Sequence, residues 1–207
     1  MDKGKNFSDN SSKGLRKKSD FYETPYSLTE QLLGNTVWYY NDETLEPACG
    51  HDAITRILRK RFSHVVSYDV ETDFLKETKH YPQCITNPPF SLAKEFILKA
   101  KEVIDWRFAF LLPLSYLHGQ ERYELKIYEG LESVNVFTRY PMIGEPIRED
   151  GKYHTGMMVY AWFIWTKNMI SKEPVIKWID NNDYVIRGEK KKEISHYRVR
   201  TADSYRR

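Results

Sequence analysis

The sequence predicts an α/β fold in which helices cover both faces of a mainly parallel sheet. Short apolar runs rich in β-branched residues alternate along the chain with segments whose apolar residues recur at helical spacing. The 207 residues, 41% of them hydrophobic and 14% aromatic, are enough for one domain with a buried core. Three unusual sequences, LEPACG, SYDV and ITNPPF, fall where predicted strands end.

The first elements follow from local signals. Thr24 suits a helix N-cap and Pro25 the first helical position, and Gly34 predicts the end of that helix. Residues 42–48 contain a short strand that ends at Pro47. Asp52 then resembles the N-cap of a second helix, whose apolar residues are Ile54, Ile57, Leu58 and Phe62.

The remaining elements continue the alternation. Ser91 is predicted to cap a helix that presents Leu92, Phe96, Ile97, Ala100 and Ile104. A fourth helix is predicted over residues 120–129. Strands are predicted over residues 64–69, 84–86, 108–112, 134–137 and 157–167, with a polar loop over residues 141–156.

The two ends of the chain are basic. Residues 1–20 carry a net charge of +3 and residues 187–207 a net charge of +5, which leaves −5 for the middle of a chain whose total is +3. We expect residues 1–19 to be a disordered tail, residues 20–186 to form the single domain and residues 187–207 to be a basic tail. Such ends could contact the phosphates of a polyanion, or they could simply be solvated tails.

Several classes of protein are excluded by the composition. No apolar run approaches the ~20 residues of a membrane span, and the N-terminus lacks the apolar core of a signal peptide. The two cysteines, Cys49 and Cys84, form neither a disulfide framework nor a metal-binding pattern. We therefore expect a cytoplasmic protein without a metal, and a monomer as the default state.

The three unusual sequences predict a ligand site. In mainly parallel sheets, ligands bind at the carboxyl ends of the strands. The small residues of LEPACG would let a ligand approach the backbone of a strand-to-helix turn. Asp69, the third residue of SYDV, could accept hydrogen bonds from both hydroxyls of a ribose.

Asn87-Pro88-Pro89-Phe90 is the most specific of these features. Pro89 restricts Pro88 to an extended backbone, and neither proline can donate a hydrogen bond. The side-chain oxygen of Asn87 and a carbonyl of this turn can therefore face one planar amino group, and Phe90 can stack on the ring that carries it. Holding both hydrogens would draw the nitrogen toward tetrahedral geometry and activate its lone pair. Methylation of a cytosine ring would instead need a nucleophilic cysteine, and no Pro-Cys motif marks one.

The order FYETP, LEPACG, SYDV, NPPF and AWFIW, over roughly residues 20–168, resembles amino-group-forming DNA adenine methyltransferases of the compact bacteriophage kind. The resemblance implies a Rossmann-like methyltransferase fold with a mostly parallel seven-stranded sheet and an antiparallel late strand. It also implies S-adenosylmethionine as the cofactor and methylation of the N6 amino group of adenine.

The resemblance further implies roles for individual residues. Asn87 and Pro88 would orient the target amino group, with Pro89 beside them, and Phe90 would stack on the target base. Asp69 would hold the ribose of the cofactor. The residues implied at the methionine end of the cofactor are Phe21, Thr24, Pro25, Glu46, Pro47 and Ala48, with Gly50 in the same loop.

The chain departs from the family pattern at two points. The family usually reads P-A-C-G-x-G, whereas here His51 and Asp52 follow Gly50, so the second glycine is missing. The acidic-aromatic pair that contacts the adenine of the cofactor usually lies further beyond the ribose acid. Asp73 and Phe74, only four residues past Asp69, are the matching pair here.

A base inside a duplex cannot reach such a site, so a double-stranded substrate implies base flipping. The loop that contains Arg148, Lys152, Tyr153 and His154 is predicted to contact the target strand, although an ordinary exposed loop has equal weight. RNA adenine or protein-glutamine methylation would use the same tetrad. A nucleic-acid-binding protein that has lost turnover is the remaining alternative. FYETP and the short N-terminal segment favour DNA.

Overall fold

The computed structural model describes residues 24–69, 73–138, 159–169 and 173–180. Within them, seven strands form one sheet in the order β2-β1-β3-β4-β6-β5-β7, and β6 runs antiparallel to both of its neighbours. The predicted mostly parallel sheet with an antiparallel late strand is confirmed. The strands are β1 (Glu43–Glu46), β2 (His64–Ser67), β3 (Tyr81–Thr86), β4 (Ile104–Pro113), β5 (Leu131–Phe137), β6 (Tyr160–Thr166) and β7 (Val175–Ile179).

Helices cover both faces of this sheet, as predicted. The helices are α1 (Tyr26–Asn35), α2 (Ala53–Arg61), α3 (Ala93–Val103) and α4 (Gln120–Glu124). Successive side chains of a strand point to opposite faces. In β4, Phe108 and Phe110 accordingly pack in a cluster with α3, whereas Ala109 and Leu111 pack in a second cluster with α1 and α2.

Helix starts differ from the sequence predictions. α1 begins at Tyr26 with Pro25 in the N-cap position, and Gly34 lies inside the helix rather than ending it. Thr24 lies one residue before the N-cap position and does not cap α1, and its hydroxyl accepts a hydrogen bond from Asn87. Ser91 is likewise no cap, since a 3₁₀ turn over Phe90–Leu92 precedes α3.

One further prediction fails and one strand was not predicted, each for a physical reason. The helix expected over residues 120–129 ends at Glu124, because Lys126 has a left-handed backbone with φ of 54° that a helix cannot continue through. β7 was not predicted. It is an edge strand that exposes 73% of Trp178, so its sequence lacks the alternation that burial of one face imposes.

The remaining expectations concern membrane spans, the polar loop and the tails. None of the helices among them is long and apolar enough to cross a membrane. The polar loop predicted over residues 141–156 and both basic tails lie outside the residues that the structure describes.

Candidate active site

The carboxyl ends of three neighbouring strands meet at one edge of the sheet. β2, β1 and β3 are adjacent and parallel, and their last residues are Ser67, Glu46 and Thr86. LEPACG, SYDV and ITNPPF therefore lie side by side at this edge, as the sequence predicted. We call this edge the active edge.

Backbone hydrogen bonds join the ends of β1 and β2. The amide of Tyr68 donates to the carbonyl of Glu46, and the amide of Cys49 donates to the carbonyl of Tyr68, each at 3.1 Å. The residue after Tyr68 is Asp69, the predicted ribose acid, which is partly exposed. The end of β2 is thus fixed against the loop that follows β1.

The loop between β1 and α2 depends on two left-handed residues. Gly50 has φ of 48°, and Asp52 has φ of 64° and ψ of 21°. Asp52 does occupy the N-cap position of α2, but its side chain makes no capping hydrogen bond. In the pattern P-A-C-G-x-G the second glycine falls at position 52. Aspartate is among the few residues other than glycine that adopt this conformation, so the loop keeps a backbone shape that glycine permits.

Glu46 is almost completely buried behind this loop. It exposes 1% of its surface, and its carboxyl group accepts a hydrogen bond from the hydroxyl of Thr55 in α2. Burial raises the pKa of Glu46 to about 8, and the negative charge of Asp52 adds to the effect. The carboxyl group is therefore mostly protonated near neutral pH and joins the end of β1 to α2. Direct contact of Glu46 with a cofactor stays a prediction.

The two cysteines have unreactive thiols. Burial, with the nearby carboxylates of Glu46, Asp52 and Asp69, raises the pKa of Cys49 to about 11. Cys84 is fully buried in β3, and burial raises its pKa well above the usual value. Since the thiolate is the nucleophile, neither residue is suited to covalent catalysis at neutral pH. This agrees with their interpretation as turn and core residues.

The side chain of Asn87 is held at the end of β3. Its Nδ2 atom donates to the hydroxyl oxygen of Thr24 at 3.1 Å, and Thr24 itself exposes only 4% of its surface. Because Nδ2 makes this bond, the bond fixes the orientation of the amide, with Nδ2 toward Thr24 and the acceptor Oδ1 at the other end of the group. It also joins FYETP to NPPF directly, across 63 positions of the sequence.

The ring of Phe90 stacks on Tyr160. Their ring centroids are 5.4 Å apart with an interplanar angle of 27°. Tyr160 is the first residue of β6 and pairs with Pro113, the last residue of β4, so it lies at the active edge. The sequence reasoning missed Tyr160. The available signal was its position as the first aromatic of an antiparallel strand, which must begin where the parallel strands end.

Asp73 and Phe74 are placed less favourably for a cofactor. Phe74 exposes 2% of its surface, and its ring packs on Phe96 at a centroid distance of 4.9 Å. Asp73 is exposed, accepts a hydrogen bond from the amide of Leu75 at 3.1 Å and pairs with Lys76 at 3.0 Å. Their contact with adenine stays a prediction, and the Phe74 ring would have to move to meet a ligand.

Five of the predicted site residues lie outside the described residues: Phe21, Arg148, Lys152, Tyr153 and His154. Pro25 and Ala48 are partly exposed near the active edge, whereas Pro47 and Pro88 are buried. Within the described ranges, no group of three or more histidine, cysteine, aspartate or glutamate residues could hold a metal ion.

Comparisons with known proteins rest on structure alone. No family model matches the sequence, and no curated protein matches it. A solved structure from Listeria monocytogenes, described as a class I S-adenosylmethionine-dependent methyltransferase, matches with a TM-score of 0.57 and 13% identity. The match covers 83% of this chain and 70% of that one.

Two subunits of restriction-modification systems are also similar. The type I methyltransferase subunit from Streptococcus thermophilus gives a TM-score of 0.53 at 14% identity and covers 78% of this chain and 47% of that one. The M protein of the type I restriction enzyme EcoKI gives 0.52 at 11% identity, with coverage of 74% and 45%. The chain thus spans about half the length of these two proteins. At these identities the likeness shows the fold, and the chain has the Rossmann-like fold of the class I methyltransferases.

Proposed function

We propose that this protein transfers the methyl group of S-adenosylmethionine to the N6 amino group of adenine in DNA. The observation that carries the proposal is the amide of Asn87. Thr24 orients it at the end of β3, and the β1 loop and Asp69 lie at the same edge. The two restriction-modification neighbours support DNA as the substrate.

The residues at the active edge fit the cofactor by their chemistry. S-adenosylmethionine supplies a methyl group on a sulfonium centre, which needs neither a metal nor a covalent enzyme intermediate. Asp69 supplies a carboxylate for the ribose hydroxyls, and the turn at Gly50 leaves backbone open to approach. The methionine end would lie by Thr24, Pro25 and Ala48, with Phe21 contributing from the preceding segment.

The tetrad would act on the target nitrogen by orientation. Oδ1 of Asn87 and the carbonyl of Pro88 would accept the two hydrogens of the amino group, leaving its lone pair directed at the methyl carbon. The nitrogen–carbon bond would form as the sulfur–carbon bond broke, with the bonding electrons going to the sulfur and one amino proton to solvent. Phe90, backed by Tyr160, would stack on the adenine. Cys49 plays no part, because its thiol stays protonated.

Recognition of DNA is part of the proposal. A duplex would present its adenine by base flipping, at a cost of roughly a few kcal/mol of unstacking. Arg148, Lys152, Tyr153 and His154, together with the basic C-terminal tail, would contact the target strand. We infer short or relaxed sequence recognition, and methylation confined to a long asymmetric site would contradict it.

The test supplies labelled S-adenosylmethionine in parallel with DNA, RNA and protein, followed by identification of the methylated product. N6-methyladenine in DNA is the expected product. Label that appears only in RNA or only in protein would replace the proposal with RNA adenine or protein-glutamine methylation. Failure to bind S-adenosylmethionine at high micromolar concentration would favour a nucleic-acid-binding protein without turnover.

A further inference from the structure

We propose that Tyr68 and Glu77 form a brace that positions Asp69, and that Glu77 is thereby a positioning residue for the ribose of the cofactor. The inference rests on the proposed function, because it concerns the same pocket. Neither residue was singled out for a role by the sequence, and neither would touch the cofactor or the base.

The end of β2 needs such support. β2 has only four residues, none of them fully buried, and it pairs with β1 alone among the described strands. Among the described backbone contacts beyond the strand, only two hydrogen bonds of Tyr68 hold this end, one to Glu46 at the end of β1 and one to Cys49 in the loop that follows. An edge strand this short is prone to local opening. Asp69 follows immediately, so its direction depends on how firmly Tyr68 is held.

The side chain of Tyr68 supplies the additional restraint. Its hydroxyl donates to Oε2 of Glu77 at 3.0 Å, and its ring packs against the core cluster on the α3 face of the sheet. This bond joins residues nine positions apart and closes the segment that contains Asp69. Closing a segment removes conformations in which Asp69 points elsewhere.

Glu77 is itself rigidly held. Oε2 also accepts from the hydroxyl of Tyr81 at 3.3 Å, while Oε1 accepts from the amides of Thr78 and Lys79, each at 2.9 Å. Lys99 of α3 donates to its backbone carbonyl at 3.2 Å. Partial burial acts to raise the pKa of Glu77, but the four hydrogen bonds to its carboxylate, from the amides of Thr78 and Lys79 and the hydroxyls of Tyr68 and Tyr81, outweigh burial and lower the pKa. The carboxylate is therefore charged at neutral pH.

Tyr81 provides a matched control. It donates to the same oxygen as Tyr68, but it is the first residue of β3 and lies at the edge of the sheet opposite Asn87. Replacing either tyrosine by phenylalanine removes one hydrogen bond to one carboxylate. The two variants should lose similar stability, whereas only one of them loosens the chain next to Asp69.

The experiment measures binding of S-adenosylmethionine by calorimetry, thermal unfolding, and the kcat and KM of methyl transfer. It uses wild type, Tyr68→Phe, Tyr81→Phe, Glu77→Gln and the double variant Tyr68→Phe/Glu77→Gln. We expect Tyr68→Phe and Glu77→Gln each to raise Kd and KM by roughly fivefold, with kcat at saturating cofactor changed less than about twofold. The double variant should be no weaker than Glu77→Gln alone, because both changes remove one interaction.

Tyr81→Phe should lower the unfolding temperature about as much as Tyr68→Phe and leave Kd within about twofold of wild type. An unchanged Kd for Tyr68→Phe, or an equal rise for Tyr81→Phe, would overturn the brace while leaving the proposed function intact. Absence of binding by wild type would overturn both.

Discussion

Replacement of Glu46 by glutamine should change how the stability of the protein depends on pH. In the folded state, burial raises the pKa of Glu46 to about 8, whereas the ordinary value for glutamate is 4.5. Between these two values the folded state binds a proton that the unfolded state has released. The contribution of Glu46 to stability is therefore greatest at low pH and is lost as the pH rises toward 8.

The magnitude follows from the two pKa values. Each pH unit between them corresponds to about 1.4 kcal/mol, so the free energy of unfolding should fall by about 3 kcal/mol between about pH 5 and about pH 7.5 from this group. Glu46→Gln carries no titrating proton and can still bond to Thr55. Its free energy of unfolding should lack this decline.

The assay is urea unfolding of both proteins at half-unit steps of pH. Other groups titrate equally in the two proteins, so the difference between the two curves isolates Glu46. That difference should shift by about 3 kcal/mol in favour of Glu46→Gln as the pH rises. Parallel curves across the whole range would refute a buried, neutral Glu46.

Three other substitutions test the site. Asp52→Gly should tighten binding of S-adenosylmethionine, measured by calorimetry, by roughly threefold to tenfold, because it removes a carboxylate and the side chain of a residue with a left-handed backbone. Asp52→Asn, measured in the same way, separates the effect of the charge from that of the side-chain shape. Phe90→Ala should lower kcat/KM by about tenfold or more while Phe90→Tyr keeps it within about threefold, and equal losses in methyl-transfer assays would argue against stacking. Cys49→Ala should retain kcat within about twofold, since a protonated thiol is no nucleophile, and abolished turnover would contradict this.

The arrangement of the active edge could be predicted from the sequence. Strand-to-helix alternation implies parallel strands, and parallel strands bring their carboxyl ends to one edge, so LEPACG, SYDV and NPPF had to meet. The antiparallel β6 came from the family resemblance. It could not be predicted from periodicity, because a strand that is buried on both faces shows the same apolar run in either direction.

Contacts between distant residues could not be predicted. Thr24 has the residue type and position of an N-cap, and only the folded chain brings Asn87 within hydrogen-bonding distance of its hydroxyl. Glu46 was predicted at the methionine end of the cofactor, and its burial and its hydrogen bond with Thr55 depend on how α2 packs behind it. The hydrogen bond between Tyr68 and Glu77 likewise could not be predicted, because no sequence pattern indicates it.

The left-handed residues show a related limit. The sequence indicated that a glycine was missing at position 52, but aspartate is compatible with both an N-cap and a left-handed turn. In the structure Asp52 is both at once, and local propensity does not show that its backbone is left-handed or that its side chain makes no capping hydrogen bond. The amide of Asp52 donates to the carbonyl of Cys49 at 2.8 Å, and this turn sets its backbone.

The most direct test of the central claim compares wild type with Asn87→Ala in two measurements on the same preparation. One is the Kd of S-adenosylmethionine by calorimetry, and the other is formation of N6-methyladenine in DNA by mass spectrometry. We predict that Asn87→Ala keeps Kd within about threefold and loses turnover by about a hundredfold or more, because the role that we propose for Asn87 is to orient the target amino group and not the cofactor. Equal loss of cofactor binding and turnover would show that the tetrad is structural, and full turnover would show that Asn87 does not orient the reacting nitrogen.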